Sequence, residues 1–104
     1  MSSDAGEQFL VLYRYVEQIE TLRGPHRPAH LEHLRGLAER GLLRLAGATG
    51  NPPTGAAIVL RVRDREAAEA LIAEDPYVRA GLVPEWSVEP WNVVVDADAG
   101  APSA

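Results

Sequence analysis

Blocks of β-branched and aromatic residues alternate along the chain with blocks of helical spacing, and the order of the blocks sets the fold. "FLVLYRY" (Phe9–Tyr15) is apolar at consecutive positions and reads as a strand buried on both faces. After it, Pro28 suits a first helical position, and "AHLEHLRGLAER" keeps helical periodicity until Gly41 ends it. "LLRLA" (Leu42–Ala46) predicts a second strand, "GATGNPPTG" a turn region, and "AAIVLRVR" (Ala56–Arg63) a third strand. Asp64 is placed to cap a second helix, "REAAEALIAE", and Asp75–Gly81 reads as a short turn. "EWSVEPWNVVV" (Glu85–Val95) predicts a last strand, which Pro90 confines to an edge or a bulge.

The order β-α-β-β-α-β predicts an α+β, ferredoxin-like domain: a four-stranded antiparallel sheet with both helices on one face. The expected organisation is a flexible tail over residues 1–8, one domain over 9–95 and a second flexible tail over 96–104. One helix layer covers one sheet face. In the first strand Phe9, Val11, Tyr13 and Tyr15 face one way and Leu10 and Leu12 the other; Ile58, Leu60 and Val62 oppose Ala57 and Val59 in the third. Apolar residues on the second face predict a homodimer joined sheet to sheet.

Composition narrows the function classes. The chain has 104 residues and a formal net charge of −5, and its ten basic residues are all arginine. An acidic domain without a basic block argues against nucleic acid as a partner. The absence of cysteine rules out thiolate catalysis and zinc–thiolate sites. No apolar run is long enough for a membrane span, and the acidic start "MSSDAGEQ" is unlike a signal peptide, so a cytoplasmic location is expected.

Within this ordinary composition, "RPAHLEHL" puts a histidine where a helix would carry leucine. At about 100° per residue, His30, Leu34, Leu37, Ala38 and Gly41 share one face, with Leu31 at its edge. His30 therefore belongs to the buried stripe, one turn from the helix start. His26, His30, Glu32 and His33 invite a metal reading, but His26 precedes Pro28 and Glu32 points away, so no metal is expected. The antiparallel topology brings the start of the first helix and the end of the second to the same end of the domain, where Asp75 can meet His30. A carboxylate on one ring nitrogen fixes the tautomer and leaves the other nitrogen free as a base. Asp75 also suits the N-cap of a helical turn, and a buried histidine can be purely structural. Arg27 can anchor an anionic group, and Tyr13, Tyr77 and Trp86 can supply aromatic walls.

The stretches "RPAHLEHLRGLAERGLL" with Ala46–Gly47 following, "EAAEALIAEDPYVRAGLV" and "SVEPW" resemble the YciI-like, YCII-related family of the dimeric α+β barrel superfamily. The resemblance implies a ferredoxin-like protomer, a dimer with back-to-back sheets and a pocket holding a His–Asp pair at His30 and Asp75. Across the wider superfamily it implies dehydrochlorination, lactone isomerisation, monooxygenation or polyketide cyclisation. Two positions depart from the family pattern: Ala48, where many members have proline, and Trp86, where some have histidine. The resulting expectation is an enzyme of lyase, isomerase or cyclase type that uses no cofactor and acts on a small cyclic or unsaturated molecule. The alternative is a ligand-binding or accessory module whose His–Asp pair is structural.

Overall fold

The computed structural model describes residues 6–99, and the outermost parts of both expected tails lie outside the described residues. Four strands form one antiparallel sheet: β1 (Glu7–Arg14), β2 (Leu43–Thr49), β3 (Gly55–Val62) and β4 (Glu85–Pro90), in the order β2-β3-β1-β4. The helices are α1 (Ile19–Leu22), α2 (Arg27–Glu39), α3 (Arg65–Ala73) and α4 (Pro76–Arg79), with a 3₁₀ turn at Gly24–His26 before α2. This is the ferredoxin-like α+β architecture expected from the chain. None of the described helices is long and apolar enough to cross a membrane.

Local chemistry sets the element ends. Asp64 caps α3, its Oδ1 accepting the Ala67 N–H at 2.9 Å. Helix α2 stops where Gly41 takes a left-handed φ of +77°. The Gly41 N–H then donates to the Ala38 carbonyl and the Leu42 N–H to that of Leu37, a Schellman closure. Gly55 begins β3, and a Cβ there would collide with the Tyr13 carbonyl, so only glycine lets β3 approach β1 at this point.

Three boundaries differ from expectation. β1 begins at Glu7, because Glu7 and Gln8 already pair with Val62 and Arg61. β2 continues through Gly47, Ala48 and Thr49, which pair with Ala57, Ala56 and Gly55; their small size suits an open edge strand rather than a turn. β4 ends at Pro90 and not at Val95; the Trp91 N–H still donates to the Gln8 carbonyl at 2.8 Å, and pairing with β1 goes no further among the described residues. Beyond it, Val94 and Val95 are exposed, and Asp96 pairs with Arg44 of β2 at 2.5 Å.

The register builds two unlike faces. Ala48, Ala56, Tyr13 and Trp86 form one cross-strand row, and Ala46, Ile58, Val11 and Val88 form the next. In these rows Ala56, Tyr13, Ile58, Val11 and Val88 join Phe9, Leu60, Leu37, Ala68 and Ile72 in the core, with Trp86 packed against it and Ala46 and Ala48 exposed on the β2 edge. Burying such side chains contributes about 1.5–3 kcal/mol each. On the reverse face Leu10 pairs with Val59 and Leu12 with Ala57. There Leu12 is 43% and Leu45 60% exposed.

Candidate active site

His30 sits in the first turn of α2, which the 3₁₀ turn and Pro28 start at the sheet's edge. Asp75 is the N-cap of α4, followed by Pro76 at the first helical position. The two meet across 45 positions of sequence, with His30 Nδ1 at 2.8 Å from Asp75 Oδ1. Both are buried: Asp75 is 0% and His30 6% exposed. Asp75 Oδ1 also accepts the Tyr77 N–H at 2.9 Å, and its Oδ2 accepts the Tyr13 hydroxyl at 2.6 Å. An ionised carboxylate only accepts, so Nδ1 carries the proton and Nε2 is left as the ring's free nitrogen. Among the described residues Nε2 has no hydrogen-bond partner.

The three donors explain how a fully buried carboxylate is tolerated. Burial pushes the Asp75 carboxyl up, but hydrogen bonds from His30 and Tyr13, the His30 charge and the Tyr77 N–H outweigh it. The net direction is down from its ordinary value of 3.8. The Tyr13 phenol moves the other way, well above its ordinary 10.0, through burial and then the negative charge of Asp75 and the bond to it. Tyr13 is thus a fixed donor behind the carboxylate.

The Tyr77 ring lies parallel to the His30 ring, with centroids 3.7 Å apart and planes 4° from coplanar. Stacking fixes the imidazole's plane, and the Tyr77 face lies against any positive charge the ring acquires. The Tyr77 hydroxyl is buried without a hydrogen-bond partner among the described residues. Tyr15 packs edge-on to Tyr77, with centroids 6.0 Å apart.

His30 forms part of the wall of a cavity of about 280 Å³ between the start of α2 and strands β2 and β3. Arg23, Arg27, Tyr15 and Tyr77 stand around it, and Leu31, Leu34 and Ile58 supply apolar wall. Its volume comes from Ala46, Gly47 and Ala48 on β2 and Ala56 on β3, where larger residues would fill the gap. The site can therefore hold a small molecule against a histidine whose second nitrogen is fixed by a carboxylate.

Of the residues expected from the sequence, His30, Arg27 and Tyr77 line this cavity and Asp75 supports it from behind. Two assignments need correction. Tyr13 does not line this cavity; it is 5% exposed and spends its hydroxyl on Asp75. Trp86 does not line it either. It stands at the far end of the row Ala48–Ala56–Tyr13–Trp86, two strand spacings or about 10 Å from Ala56, with Tyr13 between. Ala48, the other departure from the family pattern, does line the cavity. Arg23 and Tyr15 were missed as site residues. Tyr15 sits at the end of an apolar strand, and Arg23 lies in a connection to which no element had been assigned. The neighbouring histidines do not converge, since the His33 ring bonds the Leu71 carbonyl at 3.1 Å. Among the described residues no three His, Asp or Glu side chains gather to hold a metal.

A ferredoxin-like α+β domain with a buried histidine–aspartate pair beside a small cavity is the class that fold and site define. The YCII-related domain matches residues 8–92, and the chain belongs to that family. Protein YciI of Escherichia coli O6:H1 (strain CFT073) is 38% identical over 77 residues, which covers 65% of this chain and 79% of that protein. Protein YciI of Shigella flexneri gives the same values, 38% over 77 residues. A solved structure with the same fold is 5-chloro-2-hydroxyhydroquinone dehydrochlorinase from Burkholderia phenoliruptrix AC1100, in complex with 2,5-dihydroxybenzoquinone. Its TM-score is 0.70 over 82% of this chain and 93% of that one, at 22% identity.

Proposed function

We propose that this protein is a small enzyme of lyase, isomerase or cyclase type, acting without a cofactor on a small cyclic or unsaturated organic compound. The observation that carries this reading is the 2.8 Å bond between buried His30 Nδ1 and Asp75 Oδ1 at the wall of a small, largely apolar cavity. In the proposed step, His30 Nε2 takes a proton from an acidic C–H or O–H of the substrate. The electron pair stays on the substrate, spreads onto a conjugated oxygen, and either expels a leaving group or is reprotonated elsewhere. Asp75 holds the tautomer and offsets the positive charge on the ring, while Arg27 offsets the negative charge on the substrate. General acid–base catalysis of this kind contributes about 10²–10⁴-fold, which suits substrates whose proton is already activated. The shared fold with a dehydrochlorinase that binds a dihydroxybenzoquinone supports a hydroxylated ring as the first substrate class to try.

The protomer is proposed to act as a homodimer joined through the reverse sheet face. The exposure of Leu12 and Leu45 beside Leu10, Ala57 and Val59 on that face supports this, with Gln8, Arg14, Arg61, Glu85, Ser87 and Glu89 around them.

A second reading has one observation in its favour. Asp75 caps α4 and satisfies three buried donors, which is enough to retain it for structure alone. Turnover of a panel of hydroxyquinols and cyclic enols, measured with melting temperature for His30→Asn and Asp75→Asn, separates the two. The enzyme reading expects turnover to fall by about 10²-fold or more in both variants, with His30→Asn still folded. Loss of melting temperature alone, with no turnover in the wild type, supports the structural module.

A further inference from the structure

The walls of the His30 cavity have a charge balance opposite to that of the chain. Over the whole protein 15 acidic residues outnumber ten basic ones, yet the cavity is lined by Arg23, Arg27 and His30 and by no Asp or Glu. The carboxylate nearest to it, Asp75, is 0% exposed, and both of its oxygens are engaged by His30, Tyr13 and Tyr77. It serves the imidazole and leaves the guanidiniums uncompensated.

Those guanidiniums are also unengaged. Arg14, Arg44 and Arg63 pair with Glu85, Asp96 and Asp64, and Arg65 donates to the Val88 carbonyl. Neither Arg23 nor Arg27 has a side-chain hydrogen bond or ion pair among the described residues, as is also true of Arg35, Arg40, Arg61 and Arg79, but only Arg23 and Arg27 of these line the cavity. The backbone sets their placement. Arg23 closes α1, the 3₁₀ turn Gly24–His26 follows, and Arg27 opens α2, so a rigid two-element corner carries both. Arg23 is half-buried and Arg27 exposed. Both charges act on one phenol inside the site. Burial, Tyr77 and Asp75 raise the Tyr15 hydroxyl to about 12, while Arg23 and Arg27 each pull it down. Tyr15 therefore remains a neutral O–H donor near two positive charges, one on half-buried Arg23 and one on exposed Arg27.

We infer that Arg23 and Arg27 form a clamp for an oxyanion carried by the substrate itself, a ring carboxylate or phenolate, which holds the reacting proton toward His30. The inference rests on the proposed acid–base role of this cavity and names the substrate class for it. A volume of about 280 Å³ lies at the small end of ligand pockets and suits a single ring. Partial burial strengthens the attraction of an anion to Arg23, and Arg27 adds its charge from the exposed side. Arg27 had been read from the sequence as an anchor for anionic charge, and Arg23 makes the recognition two-point. Arg23 is a specificity-determining residue, since it selects an anionic ring over its neutral isostere.

The test is titration of the full chain with benzoate, with 4-nitrophenolate above its pKa, and with neutral benzamide, followed by calorimetry. Benzoate or the phenolate is expected to bind at least about tenfold tighter than benzamide, the scale of one charge-assisted hydrogen bond. Arg23→Gln and Arg27→Gln are each expected to reduce that preference about tenfold, and added salt should reduce it in the wild type. Which of the two anions binds more tightly decides between carboxylate and phenolate. Benzamide binding as tightly as both anions overturns the inference, as does an unchanged preference in Arg23→Gln or no saturable anion binding. His30→Asn keeps the two claims apart. Anion preference that survives in this variant while no turnover is found in the wild type leaves the clamp standing and removes the acid–base reading. Turnover of neutral rings without anion preference does the reverse.

Discussion

The two faces of the sheet are built from alternate residues of the same strands, yet they hold opposite kinds of chemistry. On the helix face Tyr13 is 5% exposed and donates to a carboxylate that is itself 0% exposed. On the reverse face its immediate neighbour Leu12 is 43% exposed. A polar pair is thus sealed inside an apolar core on one face, while on the other a leucine stands exposed among polar side chains. The difference teaches that burial here follows position in a network. A carboxylate can be enclosed when three donors meet it, whereas a leucine on an uncovered sheet face has only solvent or a second copy to meet.

The contrast is broken most severely at Asp75. Asp75→Ala leaves the Tyr13 hydroxyl and the His30 N–H buried without an acceptor and removes the α4 cap. A loss of about 3–5 kcal/mol is expected, measurable by urea denaturation. Next come matched truncations on the two faces. Leu60→Ala, at a position 0% exposed on the helix face, should cost about 2–5 kcal/mol. Leu12→Ala should cost the protomer about 0.5 kcal/mol or less, and Leu12→Glu should shift sedimentation toward monomer if a second copy covers that face. Unchanged sedimentation would leave the reverse face without its proposed cover. Tyr13→Phe is expected to cost about 1.5–3 kcal/mol, less than Asp75→Ala because Asp75 keeps its other two donors.

Acid stability sharpens the same contrast. The folded Asp75 carboxyl lies below its ordinary value of 3.8, so its contribution is present in full above that value. It is lost as the pH falls through the depressed folded value. Asp75→Asn should therefore flatten the acid limb of melting temperature against pH, whereas Glu85→Gln, at a surface pair with Arg14 whose side chains are about two-thirds exposed, should leave it unchanged. Tyr15 titrates at about 12 when folded, against 10.0 ordinarily, so its contribution is present below pH 10 and fades as the pH rises toward 12. Tyr15→Phe should remove that component from the alkaline limb.

Much of this arrangement was legible in the chain because it follows from periodicity and topology. Helical spacing put His30 on the buried stripe, and the antiparallel order brought Asp75 to the same end of the domain. Strand parity put Tyr13 on one face with Phe9, Val11 and Tyr15, but parity gives neither which face carries the helices nor depth, so its bond to Asp75 could not be told from a wall position. Trp86 shares that face and row, yet its place on the β4 edge puts Tyr13 between it and the cavity. Val93–Val95 has strand composition, but the pairing of β4 with β1 stops at Pro90. Arg23 was invisible because α1 and the 3₁₀ turn are too short to leave a periodic signal. The cavity itself depends on Ala46–Gly47–Ala48 being strand, and glycine next to a Pro-rich run had pointed to a turn.

The central claim is that the His30–Asp75 pair is a working base at the cavity wall. Its most direct test is proton–deuterium exchange at an acidic C–H of cyclic enols and hydroxyquinols in D₂O, followed by proton NMR for wild type and His30→Asn. The account predicts catalysed exchange by the wild type that is lost in His30→Asn while the variant's melting temperature stays close to that of the wild type. Exchange at the same rate in both proteins, or none in either, would contradict it.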